Sequence, residues 1–151
     1  MEREDFMLDD IVFGPALVRS YELESKKAIY PRIIIDEEIV QSASQGTEQF
    51  WNQSIRRADD GTHFIDYLSQ LAIGWLQPSS VFNDPNITMQ QHKQMIETKL
   101  AELKSRPFND RIAEKLKWLA QYHNSVVHEL CEMVPGRQAS ELLIPEDMFS
   151  I

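Results

Sequence analysis

Two apolar stripes of helical period, divided by a proline, constrain this chain more than any other feature. Met89, His92, Ile96, Leu100 and Leu103 recur three or four residues apart, and so, after Asn109, do Ile112, Leu116, Leu119, His123, Val127 and Leu130. That spacing puts each set on one side of an α-helix. Thr88-Met89-Gln90-Gln91 reads as a capping box, and the first helix must end at or before Pro107. Asn109 can cap the second helix, which Pro135-Gly136 stops. So short a connection makes neighbouring helices antiparallel, and residues 86–135 are expected to form a helical hairpin. Trp118 and Tyr122 lie four apart beside the second stripe and widen its apolar face, as contact with a third element or a second subunit would require. Residues 136–151 contain Leu142, Leu143, Ile144, Met148 and Phe149, too apolar a set for a free end, so this tail is expected to dock on the chain or on a partner.

At 151 residues the chain is long enough to bury a real core, and one compact domain overall is the expectation. Its net charge of −9 argues against phosphate-backbone binding, which needs surplus Lys and Arg to displace counterions, so nucleic acid is not an expected partner. The charge is polarised. Up to Val40 there are ten acidic residues against five Lys or Arg, while Met89 to Lys117 carries seven basic against four acidic. The single cysteine, Cys131, excludes an internal disulfide, fits a reducing compartment and reads as a buried structural thiol. The acidic first ten residues lack the pattern of a secretory signal. The longest apolar stretch, near Leu71 to Leu76, is too short for a bilayer, so a cytoplasmic protein without membrane contact is expected.

The amino-terminal half reads as loop, helix and strand in quick succession. Gly14-Pro15 opens a helix running through Ala16-Leu17-Val18-Arg19-Ser20-Tyr21-Glu22-Leu23-Glu24. Tyr30-Pro31 then leads into Arg32-Ile33-Ile34-Ile35-Asp36. This is expected to be a central strand covered on one side, with Ile33 and Ile35 on one face and Arg32 and Ile34 on the other. Glu37 to Ser44 reads as a short helix, with carboxylates at its positive end. Asp60-Gly61 is a turn signal before a strand from His63 to Leu68, and Leu71 to Leu76 is either more strand or a helical turn.

The run from Gly14 to Glu24, with the strand after it, resembles the second half of the catalytic domain of class III nucleotidyl cyclases. There a Gly-x-x-Val-Asn-x-Ala-x-Arg-Leu-Glu helix precedes a short strand. Together with Glu114 to Asn124, the motif resembles a group of uncharacterised bacterial cyclase-like proteins. The resemblance covers roughly Asp9 to Leu68 and implies an α+β fold: a partial palm-like (ferredoxin-like) sheet over 1–77, followed by the helical hairpin and the docking tail.

Aligning Gly14 with the family glycine puts Leu17 on the Val, Ser20 on the small residue and Leu23-Glu24 on the Leu-Glu pair. The transition-state Asn and Arg positions then fall on Val18 and Glu22. Valine cannot hydrogen-bond a ribose and a carboxylate repels a polyphosphate, so these positions are degenerate. The two metal-binding aspartates belong to the family's first half, which precedes the region matched here. The resemblance therefore implies no catalytic residue, metal or cofactor for this chain. Asp10, Gly14 and Arg19 are the nucleotide-proximal candidates, nucleotide being a weak expectation, and Arg32, Trp118, Tyr122 and Phe149 are the interface candidates. Class III sites form at dimer interfaces, so the implied role is an inactive, truncated interaction module that self-associates or pairs with a cyclase-like protein. The alternative is a carboxyl-terminal fragment of an active cyclase whose metal-binding half lies upstream.

Other constellations point to structure rather than chemistry. His123 and His128 are five apart and share no helical face, there is no His-Glu-x-x-His pattern, and His123 on the apolar stripe reads as a core or interface histidine. Asp59, Asp60, His63 and Asp66 could gather round a cation, but Asp-Gly is first of all a turn. Ser25, Ser42 and Ser44 lack a Gly-x-Ser-x-Gly context, and no Gly-rich phosphate loop is present.

Overall fold

The computed structural model describes residues 6–8, 11–44, 54–73, 85–105, 109–133 and 139–150. They belong to two compact units, residues 1–65 and 66–151. The fold is α+β: a helix-rich chain with a small three-stranded antiparallel sheet. Among the described residues no helix is long and apolar enough to cross a membrane.

In the first unit, β1 (Phe6–Leu8) and β2 (Ile11–Phe13) form an antiparallel pair with Met7 opposite Val12. Gly14 then caps α1 (Pro15–Lys26) with φ 152° and ψ 178°, a conformation almost exclusive to glycine, and Pro15 supplies the fixed φ of the first turn. Helix α1 closes where Lys27 and Ala28 both donate their backbone N–H to the Leu23 carbonyl.

The next segment departs from the expected strand. Only Ile34–Ile35 (β3) is extended and paired, and it lies at the edge of a sheet ordered β3-β5-β4, with β4 at Ile55–Arg57 and β5 at His63–Ile65 in the centre. Ile34 faces Phe64 and Ile35 faces His63. Two local causes shorten the strand. Around Pro31 the backbone turns, with the Arg32 N–H bonding the Tyr30 carbonyl. At the other end Asp36 caps α2 (Glu37–Ser44): its carboxylate accepts the Glu38 N–H at 3.0 Å and its carbonyl accepts from Ile39 and Val40. Ile33 is 63% exposed, so the expected covered face does not form there.

The Asp-Gly turn is present. β4 and β5 are antiparallel partners, joined by a loop in which Gly61 takes φ 80° and the Thr62 N–H and hydroxyl both bond Asp60 Oδ1. A Cβ at Gly61 would meet nothing closer than Arg57 Nη2 at 3.7 Å, so the positive φ alone sets the cost of substitution. Gly61→Ala is expected to lower stability by roughly 1–2 kcal/mol in chemical denaturation, the cost of left-handed backbone for a residue with a Cβ.

The second unit begins where the strand expected over His63 to Leu68 stops. Asp66 caps α3 (Tyr67–Ile73) by accepting the Ser69 N–H, so the segment turns helical after Ile65. α4 (Pro85–Lys104) and α5 (Asp110–Met133) form the hairpin. His92, early in α4, meets His123, well along α5, as an antiparallel pair requires. The expected capping box is not the helix start: α4 opens three residues earlier, with a proline at its first position, and Thr88 lies inside it. Asn109 does cap α5, through Oδ1 to the Ile112 N–H.

Met89, Ile96, Leu100, Leu103, Leu119, Val127 and Leu130 of the two stripes are buried, whereas Ile112 is exposed and Ala113 takes the inward place. Each fully buried large side chain contributes roughly 1.5–3 kcal/mol. The tail docks on its own unit: after a 3-10 turn (Ala139–Glu141), Leu142 and Ile144 are buried, and α6 (Glu146–Phe149) buries Phe149. Cys131 is half-buried rather than buried.

Candidate functional site

In the first unit a cleft of about 160 Å³ opens between α1, β3 and the β4–β5 loop. Arg19, Leu23 and Lys27 recur every four residues and give one side of α1 to it. Ile34, Ile35 and Glu37 line it from β3 and α2, and Asp60, Gly61, Thr62 and His63 from the β4–β5 loop and the start of β5.

Two ion pairs and a histidine–carboxylate contact organise these walls. Arg19 Nε donates to Asp36 Oδ2 at 2.5 Å, which raises the guanidinium pKa and holds the Asp36 carboxyl below its ordinary range. His63 Nδ1 lies 2.9 Å from Glu37 Oε2. Arg32, 7% exposed, pairs through both terminal nitrogens with Asp60 and lies over the rings of Tyr30 and Phe64, at 5.2 and 5.9 Å from their centroids. That pairing, joined by the Thr62 bonds, holds the Asp60 carboxyl down at about 2. Asp36 and Asp60 are thus taken up by guanidinium groups of the same unit. Thr62 gives its hydroxyl proton to Asp60, and no nucleophile and base bond each other among the described lining residues. Arg19 and Lys27 bring two cationic side chains to one wall of the cleft.

Of the nucleotide-proximal and interface candidates, Arg19 lies in this cleft, as do Asp60 and His63 of the suggested cation cluster. Val18 and Glu22 occupy the adjoining stripe of α1; Val18 is 61% exposed, and Glu22 pairs with Lys26 at 3.4 Å and Arg19 at 3.8 Å. Gly14 is the helix cap, and Asp10 lies outside the described residues. Three of the four interface candidates are covered within their own unit: Arg32 by its pairing with Asp60, Tyr122 and Phe149 at 4% and 7% exposure. Trp118 is half-buried and stacks on Tyr122 with centroids 5.3 Å apart. The suggested cation cluster is divided, since Asp60 and His63 line the cleft whereas Asp66 caps α3 in the second unit. No group of three or more His, Cys, Asp or Glu residues is placed to hold a metal among the described residues. Lys27, Asp36 and Glu37 were not singled out as site residues. Their signal is the Arg19-Leu23-Lys27 spacing, which becomes informative only once an acidic cap follows the strand.

The second unit holds a separate polar chain. Tyr67 Oη lies 3.4 Å from His92 Nε2, His92 Nδ1 lies 2.9 Å from His123 Nδ1, and His123 Nε2 lies 2.9 Å from the Leu142 carbonyl. A carbonyl only accepts, so His123 carries its proton on Nε2 and accepts at Nδ1. His92 must then donate from Nδ1 and accept from the Tyr67 hydroxyl at Nε2. Burial, reinforced by the facing imidazole, pushes His92 down to about 4, and burial also lowers His123.

Comparison with known proteins finds no match to this chain among protein-family models, curated proteins or solved structures.

Proposed function

We propose that this chain is a non-catalytic binding module, the role a degenerate class III cyclase-like domain would have, and that α1 is its contact surface. The observation that carries the reading is that α1 buries none of its residues yet presents Leu17, Val18 and Tyr21 to solvent, at 46%, 61% and 69% exposure. Those three project within about 100° of one another on an ideal helix, and an apolar helix face of that width ordinarily packs against something. The cleft on the neighbouring side supports the same reading, because the Asp36 and Asp60 carboxylates are matched internally by Arg19 and Arg32. Val18 and Glu22, at the positions where a cyclase has Asn and Arg, offer no donor to a nucleotide. The partner in this reading is a second copy of the chain or a cyclase-like protein.

Two measurements test it. With ATP, GTP, CTP or UTP and Mg²⁺ or Mn²⁺, the purified chain is expected to form no cyclic nucleotide above a heat-inactivated control; product would favour the enzyme-fragment reading instead. In light scattering across a concentration series, the wild type is expected to gain mass and Leu17→Glu/Tyr21→Glu to remain monomeric with an unchanged thermal midpoint. A wild type monomeric at every concentration, with or without a cyclase-like partner, would remove the basis for α1 as a contact surface.

A further inference from the structure

We propose that the His92–His123 pair is a proton-operated latch on the carboxyl-terminal segment 139–150: closed while both imidazoles are neutral, opened when protons are forced onto them. Among the described residues the segment rests on α4 and α5 through apolar and polar attachments. Leu142, Ile144 and Phe149 are buried, Asn124 makes two bonds to the backbone of Ile144, Lys93 Nζ donates to the Glu141 carbonyl, and His123 donates to the Leu142 carbonyl. His123 is wholly inaccessible to solvent. Lifting the segment frees Nε2 from Leu142 and gives water a way to that nitrogen.

The bond directions limit what the pair can hold. One added proton can be accommodated if the Tyr67 hydroxyl turns to accept from His92 Nε2, leaving a largely buried cation between the helices. A second proton would set two N–H groups against each other at 2.9 Å, which ends the contact. Groups facing the pair do not relieve this. Glu97 on α4 favours a charged His123, but Lys93 on the same helix opposes it and lies 3.7 Å from Glu97. From α3, Tyr67 contributes a neutral hydroxyl, and Asp66 beyond it accepts the proton of Tyr122 on α5. From the segment itself, among the described residues, the Leu142 carbonyl accepts from His123 and favours its charged form, which burial outweighs.

The sign follows directly. The open form takes up protons near the ordinary imidazole value of 6.5 and the closed form resists them, so the closed state is favoured above that pH. It loses ground by up to tenfold per pH unit for each refused proton as the pH falls toward 4.

Hydrogen exchange on the full chain at pH 7.5 and 5.0, corrected for intrinsic rates, tests the latch. Amides of 142–150 are expected to lose at least tenfold in protection at pH 5.0, while those of Val126 to Leu130 keep theirs. His123→Gln, which can still donate to the Leu142 carbonyl but cannot titrate, is expected to remove most of that pH dependence. Imidazole chemical shifts of the wild type give a second readout that needs no variant. They are expected to show the Nδ1–H form of His92 and the Nε2–H form of His123, with neither charged at pH 6. Equal loss of protection in both segments, an unchanged drop in His123→Gln, or charged histidines at pH 6 beneath a still-protected segment would each overturn the proposal.

Discussion

Replacing Asp66 with Ala is expected to destabilise the helical unit by about 3 kcal/mol, read as a lower urea midpoint at constant slope. Asp66 is 5% exposed, and one oxygen, Oδ1, accepts both the Ser69 N–H that caps α3 and the Tyr122 hydroxyl at 2.5 Å. Loss of a helix cap costs about 1 kcal/mol. Removing the acceptor of a buried hydroxyl adds about 1–3 kcal/mol. Tyr122 cannot escape to water, since it is 4% exposed, its oxygen accepts the Leu68 N–H, and its ring packs against Tyr67 and Trp118. Burial and Asp66 together raise the Tyr122 pKa, so the phenol stays protonated and remains the donor. Tyr122→Phe keeps the Ser69 cap but takes the buried Leu68 N–H from its acceptor and Asp66 from its donor, and should cost about 1–3 kcal/mol. The Asp66→Ala/Tyr122→Phe double variant should then lose less than the sum of the two. Strict additivity, or a loss under 1 kcal/mol for Asp66→Ala, would mean the buried bond contributes little.

That bond shows where the sequence becomes illegible. The stripes of α4 and α5 could be read directly because a 3.6-residue period is a local property, and Met89, Ile96, Leu100, Leu119, Val127 and Leu130 are buried accordingly. Tyr122 lies next to its stripe, and periodicity alone allowed it to face a partner. What turns it inward is a carboxylate 56 positions earlier, a pairing that no local pattern encodes. The same holds for Arg19 with Asp36, Arg32 with Asp60 and His92 with His123, separated by 17, 28 and 31 positions.

Local signals also competed. Residues 32–36 carry β-branched side chains, but Asp36 is a stronger helix cap than strand former and ends the strand at Ile35. Asp66 does the same after Ile65, converting an apparent strand into α3. In each case one acidic residue at the end of an apolar run sets the boundary. The cleft in the first unit was only partly legible for the same reason: Arg19 was singled out, but the residues it meets are assembled by the cap of α2 and the β4–β5 loop.

Asp60→Ala is expected to cost the first unit about 2–3 kcal/mol, because it removes the carboxylate facing a buried guanidinium. The two partners are not equivalent: the Arg32 side chain is 1% exposed, whereas that of Asp60 is 43% exposed. Water therefore screens the carboxylate, and the expected loss lies below the 3–5 kcal/mol typical of breaking a fully buried pair. The cost falls on Arg32, whose charge cannot follow the substitution into solvent without uncovering Phe64 and Tyr30. Asp60→Ala also removes the bonds to the Thr62 N–H and hydroxyl that hold the loop after β4.

Arg32→Met separates these contributions. It deletes the charge while keeping an apolar stem against the rings, and it should restore part of the stability of Asp60→Ala. The pH dependence has the same sense as that of the histidine latch but falls in a lower window. Asp60 is held at about 2, below its ordinary 3.8, so its contribution is complete above the ordinary value and is lost as the pH falls toward about 2. Between pH 7 and 5 the wild type and Arg32→Met should therefore keep a constant difference in the denaturation midpoint of the first unit. A difference that changes through that interval, or a double variant no more stable than Asp60→Ala, would show that Arg32 is held by something other than Asp60.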